Sequence, residues 1–199
     1  MVRGALGAAA WPLARLPASE GEAAAIAELF GESAVVFAGR EASEERFKSR
    51  AQAGAARYLH VAAHGLVSEE FPHLSGLALA LRAGGSEDGL LQAHEIAKLR
   101  LDADLVVLSA CQTGLGREVR GEGLVGLSQA FFQAGARGLV VSLWNVADAS
   151  TARLMRSFYR RLAAGAPASE ALRGAQLEQL DEGNPHPYYW APFVVVGAD

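Results

Sequence analysis

Short uninterrupted runs of apolar residues recur along the chain, and longer stretches with a helical spacing of apolar positions separate them. The runs predict strands buried on both faces, and the stretches between them predict surface helices. The predicted strands are Ala34–Ala38, Tyr58–Ala63, Leu77–Leu81, Leu105–Ser109, Gly138–Leu143 and Phe193–Val196. The predicted helices are Glu22–Phe30, Glu41–Ala53, Leu91–Leu99, Gly123–Ala134, Thr151–Ala164 and Ala168–Leu180. This alternation predicts an α/β domain with a mostly parallel sheet covered by helices on both faces.

Two local patterns refine these elements. Ser19 followed by Glu22 three residues later is the spacing of a capping box, which predicts that Ser19 caps the first helix. The aromatic cluster His186–Trp190 precedes the last strand, and we interpret it as packing that anchors that strand.

The length of 199 residues suits one ordinary domain or two very small ones, and with 51% hydrophobic and 20% charged residues the chain can bury a sizeable core. Residues 1–15 are rich in Ala, Gly and Pro, so we expect a loosely ordered lead-in followed by a domain over residues 16–199. The net charge of −4 and the lack of a basic stripe argue against nucleic acid as a partner. No apolar run approaches the ~20 residues of a membrane span. With a single cysteine the chain forms no internal disulfide, and we expect a cytoplasmic protein.

Three of the predicted strands end at residues that carry chemistry. His64 and Gly65 follow the second strand, Cys111 follows the fourth, and Trp144–Asp148 follows the fifth. Ligands of a parallel sheet bind beyond the carboxyl ends of its strands, so these residues are expected at one edge.

A cysteine nucleophile reacts as the thiolate and needs an imidazole nearby to protonate the leaving group. Cys111 and His64 are therefore a candidate catalytic pair. The backbone N–H groups of Gly65 and Cys111 are candidate donors of an oxyanion hole. Taken singly, Cys111 is also explained as a small buried residue and His64 as a hydrogen-bonded residue at a strand end. Their conjunction favours the catalytic interpretation.

Metal and cofactor chemistry is not indicated. His60 and His64 are four residues apart on a strand, which separates them by ~13 Å and is too far for one zinc ion. The chemistry of a cysteine–histidine pair needs neither a metal nor an organic cofactor, so we predict none.

The motifs around these residues resemble one known family, the CHAT domain. The histidine motif is LHVAAHG (Leu59–Gly65) and the cysteine motif is LSACQTG (Leu108–Gly114). The stretches Arg120–Asp148 and His186–Gly197 are similar to the family as well, as is the opening Leu16–Phe30. The resemblance covers about residues 16–198, with its motifs in order.

The resemblance implies a caspase–hemoglobinase-like fold and a cysteine endopeptidase with His64 as catalytic imidazole and Cys111 as nucleophile. It also implies protein or peptide substrates, a role in bacterial signalling or defence, and association with a tetratricopeptide-repeat region or an activating partner. Family members carry further sequence before the Leu16 region, so an N-terminally truncated domain is expected here. The alternative is a latent or inactive caspase-like module that acts in protein–protein interaction.

The segment Trp144–Asp148 is similar to a stretch of separase in which an acidic residue receives a substrate arginine. By this resemblance Asp148, with Trp144 and Asn145, is a candidate pocket for a basic P1 residue, and Glu122 is a weaker candidate. Asp148 suits equally well the N-terminus of the helix predicted at Thr151–Ala164, where a carboxylate is favoured. Both interpretations stay open.

Overall fold

The computed structural model describes residue 13 and residues 16–54, 56–68, 70–82, 84–109, 111–114, 122–144, 148–183 and 186–197, with only the backbone for 111–114, 122, 123 and 148. The helices are α1 Pro17–Phe30, α2 Glu44–Gln52, α3 Ala93–Ile96, α4 Glu122–Gln133, α5 Asp148–Ala163, α6 Ala168–Asp181 and α7 Pro187–Trp190. The strands are β1 Tyr58–Val61, β2 His64–Val67, β3 Gly76–Ala78, β4 Leu90–Gln92, β5 Leu105–Leu108, β6 Cys111–Gly114, β7 Gly138–Ser142 and β8 Phe193–Gly197.

The larger of two four-stranded sheets has the order β1-β5-β7-β8, and its first three strands are parallel while β8 is antiparallel to β7. Side chains alternate between its faces. Val106 and Leu108 of β5 pack into a core with α3 and α4, whereas Leu105 and Val107 pack into a second core with α1, α5 and α6. The predicted class is therefore confirmed as a mostly parallel sheet covered by helices on both faces.

The smaller sheet has the order β4-β3-β2-β6, and two of its strands continue from strands of the larger sheet. β1 leads into β2 and β5 leads into β6, each after a break of two residues. In the β1–β5 ladder Val61 pairs with Leu108, and in the β2–β6 ladder His64 pairs with Cys111. Partners differ by 47 in residue number in both ladders, so the two chain segments resume the same register after the break.

The predicted strand at 34–38 is wrong. The segment is neither helix nor strand, and Val35 and Val36 are 59% and 45% exposed. Its β-branched and aromatic residues favour a strand, but strand propensity acts only where a neighbouring strand is available. The Phe37 ring is instead covered by the Arg46 guanidinium, 5.3 Å from its centroid.

The predicted cap at Ser19 is wrong as well. Helix α1 starts earlier, with Pro17 in the first turn, and its N-cap is Leu16 without a side-chain cap. Proline suits this position because the first turn needs no N–H donor and its φ is fixed for a helix. The Ser19 hydroxyl donates to the Leu16 carbonyl at 2.7 Å, and Glu22 is free to point into the protein.

The helices in the described part of the chain include none that is long and apolar enough to cross a membrane.

Candidate active site

His64 and Cys111 lie side by side at the junction of the two sheets. β2 begins at His64, β6 begins at Cys111, and the two residues are Cα partners in the parallel ladder. Neighbouring strands are about 4.8 Å apart, so the two backbones are adjacent. The expectation that both residues stand beyond the last strand positions is wrong, because each one opens a new strand after the two-residue break. The expectation that the topology brings them to one place is met by this register.

Gly65, the predicted oxyanion donor, is buried in the smaller sheet. Its Cα partners are Leu77 of β3 and Gln112 of β6, so two ladders fix its backbone. Its role as an oxyanion donor stays a prediction, and that role needs an N–H that points away from both ladders.

The predicted pocket residues fall at the starts of two helices and at the end of β7. Trp144 is partly buried against the core beneath α5, and its Nε1–H donates to the Tyr188 carbonyl at 3.2 Å. Helix α4 begins at Glu122 and α5 begins at Asp148, and the side chains of both lie outside the described part of the structure. Asn145 lies outside the described residues. The start of α5 at Asp148 is compatible with both interpretations of this carboxylate.

The aromatic cluster before β8 is more exposed than the packing interpretation implies. Its residues form the single turn of α7, in which Tyr188 and Tyr189 are 42% and 38% exposed. Their rings meet edge to face with centroids 5.3 Å apart. The cluster His186–Trp190 spans five residues, which is too few for a periodicity that would reveal its exposed side from the sequence alone.

A buried polar group beneath β1 was missed by the sequence interpretation. His60 is held on both ring nitrogens, with Nε2 2.8 Å from the Glu22 carboxylate and Nδ1 3.1 Å from the Tyr159 hydroxyl. Burial raises the pKa of Tyr159, and the negative charge of Glu22 raises it further. The phenol therefore keeps its proton, which it can donate to Nδ1 while Nε2–H donates to Glu22. The signal was present in the spacing of Glu22 and Ile26, four apart on the inward face of α1.

Three acidic side chains form the one group of metal-ligand type among the described residues. Oxygens of Glu44, Glu87 and Glu95 lie within 4.8 Å of one another. The Lys48 ammonium contacts each of them, at 2.7, 2.8 and 2.9 Å. The protein's own Lys48 cation thus offsets part of the negative charge of the cluster, which joins α2 to α3 and to the loop before β4.

The charged groups in this cluster shift one another's pKa values. Burial raises the pKa of Glu44 to about 6, although Lys48 opposes the shift. Burial alone would lower the pKa of Lys48, but hydrogen bonds to the three carboxylates raise it above its usual value.

Comparisons with known proteins place the fold in a family. Two curated relatives are both named tetratricopeptide repeat protein 28, one from Mus musculus and one from Homo sapiens. The chain is 40% identical to the first and 37% identical to the second, over 111 residues in each case. The aligned part is 55% of this chain and 4% of each relative, so the chain spans only a small part of their length. The family model described as CHAT domain matches residues 4–198, and the chain therefore belongs to the CHAT domain family.

Proposed function

We propose that this domain is a cysteine endopeptidase with Cys111 as nucleophile and His64 as general acid and base. The family supplies a caspase-like, peptidase-related fold. The observation that carries the proposal is the pairing of His64 with Cys111 in the β2–β6 ladder. A catalytic pair needs such proximity, and the pairing draws together the two residue types of a cysteine peptidase.

In the proposed reaction the Cys111 thiolate attacks the carbonyl carbon of the scissile peptide bond. The C=O electron pair moves onto oxygen, and the N–H groups of Gly65 and Cys111 are the proposed donors to that oxyanion. When the intermediate collapses, the C–N bond breaks and His64 gives a proton to the leaving amine. His64 then takes a proton from water, whose oxygen attacks the carbonyl carbon of the thioester. The C–S bond breaks, the acid product leaves, and the Cys111 thiolate and the protonated His64 are restored.

The experiment is cleavage of fluorogenic peptides with Arg, Lys, Asp, Leu or Asn at P1. Replacing Cys111 by Ala or His64 by Ala is expected to lower kcat/KM by about a thousand-fold or more, because each removes a member of the reacting pair. His94→Ala is the matched control, since His94 is exposed on α3 and stands outside the proposed machinery. Cleavage that survives in Cys111→Ala would refute the proposal.

A basic P1 preference with Asp148 as pocket acid is the finer form of the proposal. Asp148→Asn is expected to reduce kcat/KM for Arg peptides while Leu peptides change little. If Asp148 only stabilises the start of α5, the variant instead lowers the melting temperature and affects all peptides equally.

A second candidate is a latent module that acts through protein–protein contacts. The observation favouring it is that both named relatives are tetratricopeptide repeat proteins, of which this domain matches a small part. Stacked repeats form extended binding surfaces, which would bring a partner to the domain. The matched relatives are mammalian and lend no support to the expected bacterial role.

The single cysteine separates the two candidates. Iodoacetamide has Cys111 as its one thiol target, so intact mass reports that residue alone. An activated thiolate is alkylated quickly at neutral pH and more slowly in His64→Ala. Slow alkylation that is unchanged in His64→Ala, with no cleavage of any peptide, favours the latent module.

A further inference from the structure

We propose that Tyr188 and Tyr189 of α7, together with Leu143, form an aromatic subsite that binds an apolar side chain of the peptide substrate close to the scissile bond. The inference rests on the proposed peptidase function and adds to it a class of substrate. These residues stand outside the pocket predicted from the sequence.

The residues of the aromatic subsite are exposed to solvent, and its two tyrosines are neighbours in α7. Leu143, Tyr188 and Tyr189 are 45%, 42% and 38% exposed, and the two rings hold each other edge to face. Tyrosine offers a large contact area with few rotatable bonds, so ordering it on binding costs little entropy. Exposed apolar groups that cluster, unlike those scattered singly, mark binding surfaces.

The strand register brings the chain that follows β7 level with the candidate nucleophile. In the β5–β7 ladder the last pair is Leu108 with Val141. Cys111 follows Leu108 by three residues, and Trp144 follows Val141 by three residues. The chain beyond β7 therefore runs past the same edge of the larger sheet as the chain that carries Cys111.

Two hydrogen bonds tie α7 and the residues that follow it to that extension. The Leu143 N–H donates to the Pro192 carbonyl at 2.7 Å, which prolongs the β7–β8 pairing beyond the strand. The Trp144 Nε1–H donates to the Tyr188 carbonyl at 3.2 Å. The tyrosines are thus attached to the segment that follows β7. In the strand order this segment lies on one side of the chain that carries Cys111, and His64 lies on the other side.

The occupant that fits this position is an extended substrate segment. A peptide whose scissile bond lies at Cys111 must continue past one side of it, and an extended chain advances about 3.3 Å per residue. A side chain within a few residues of the scissile bond is therefore within reach of α7. The apolar rings favour an aromatic or aliphatic side chain there, which excludes water from both partners.

The test is binding of short fluorescein-labelled peptides to the Cys111→Ala protein, followed by anisotropy. Each peptide carries one central arginine and differs in having phenylalanine or serine at one flanking position. We expect one flanking position to prefer phenylalanine by about tenfold or more. Tyr188→Ala and Tyr189→Ala are expected to abolish that preference, and the corresponding Phe variants to retain it. Leu177→Ala, at a residue 44% exposed on α6, is the matched control.

The outcomes separate the subsite from the peptidase. Retention of the phenylalanine preference in both alanine variants, with folding verified by circular dichroism, overturns the subsite. Absence of any preference at every flanking position overturns it as well. Cleavage by the protein with Cys111 intact is measured separately on the same peptides. Its absence counts against the peptidase alone, whereas loss of the binding preference in the tyrosine variants supports the subsite in either case.

Discussion

The hydrogen-bonding atoms of the buried group Glu22, His60 and Tyr159 are all paired only when the three residues are present together. His60 has one partner on each ring nitrogen, and Glu22 and Tyr159 come from α1 and α5 on the same face of the sheet. Removing one member leaves a buried donor or acceptor without a partner, which costs more than the hydrogen bond itself contributes.

We expect Glu22→Ala to lower the free energy of unfolding by about 2 kcal/mol, because the His60 Nε2–H loses its acceptor. Glu22→Gln keeps an acceptor oxygen and is expected to cost less than half as much. Urea unfolding measures both changes. Glu28→Ala is the control on the exposed side of the same helix, and an equal loss in that variant would contradict the assignment.

Lys48 is the cation that holds together the carboxylates of Glu44, Glu87 and Glu95. Lys48→Met leaves three carboxylates without their cation and is expected to cost about 3 kcal/mol at neutral pH. The pKa of Glu44 is raised, so its protonation favours the folded state: this contribution is complete below the ordinary pKa of 4.5 and is lost as the pH rises through about 6. The deficit of Lys48→Met should therefore shrink as the pH falls from 7 towards 5.

Denaturant unfolding at several pH values tests this expectation. The control is Lys98, the second of the two lysines in the chain, which is exposed on the turn after α3. Lys98→Met should therefore leave the free energy of unfolding nearly unchanged. A deficit in Lys48→Met that stays constant with pH would show that lost packing, and not charge, is responsible.

The sequence singles out individual residues as candidates where several weak signals meet in short motifs. His64 and Cys111 each have an ordinary explanation, and only their conjunction at two strand ends singles them out. Glu22 and the α7 tyrosines lack such a motif. Their roles depend on which side of a helix faces the sheet, and that is decided by packing between elements that are distant in the sequence.

Elements are positioned by contacts between backbones, and Gly76 illustrates this in the sheet that carries His64. A Cβ at Gly76 would lie 2.6 Å from the Leu91 carbonyl oxygen of the neighbouring strand β4, closer than two such atoms can approach. Gly76 also pairs with Leu66 of β2. A larger residue there must push β3 away from one of its neighbours.

Gly76→Ala is therefore expected to cost about 1–3 kcal/mol and to lower the proposed peptidase activity by loosening the sheet around His64. Gly21→Ala is the matched control, since nothing lies within 4 Å of its added Cβ. Alanine in the interior of α1 should stabilise the protein by about 0.5–1 kcal/mol. Thermal unfolding and peptide cleavage measure both variants, and an unaffected Gly76→Ala protein would contradict the close approach.

At this scale the sequence predicts elements better than their ends. The runs at Leu105–Ser109 and Gly138–Leu143 are strands within one residue of the predicted bounds, because both faces of those strands are buried. The predicted helix at Leu91–Leu99 is shorter, since Leu91 and Gln92 pair with β3. A continuous apolar run does not reveal where the two-residue break interrupts a strand, so the second sheet was not foreseen.

The whole molecule buries both faces of the larger sheet but leaves the extended segment at 34–38 on its surface. The exposed Val35 and Val36 contribute little to the folded state and favour contact with other molecules. Replacing these two residues should therefore leave the core intact, whereas replacing a buried apolar residue would disturb it.

We expect the double change Val35→Lys and Val36→Lys to leave the free energy of unfolding within about 0.5 kcal/mol and to reduce self-association. Light scattering against concentration, together with urea unfolding, tests both statements. Val125→Lys, at a residue 54% exposed on α4, controls for the added charge. A large loss of stability in the double variant would show that the segment is a structural part of the domain.

The constant separation of 47 residues between paired strands restricts how this domain can change in length. A residue inserted into either two-residue break would shift one strand of the β2–β6 ladder by one position. His64 would then face a different partner, and the side chains of the shifted strand would exchange faces. Insertions in the connection between β3 and β4, or between β4 and β5, leave that alignment intact. Length variation among functional relatives should therefore fall in those connections, and a catalytically competent relative should keep both breaks the same length.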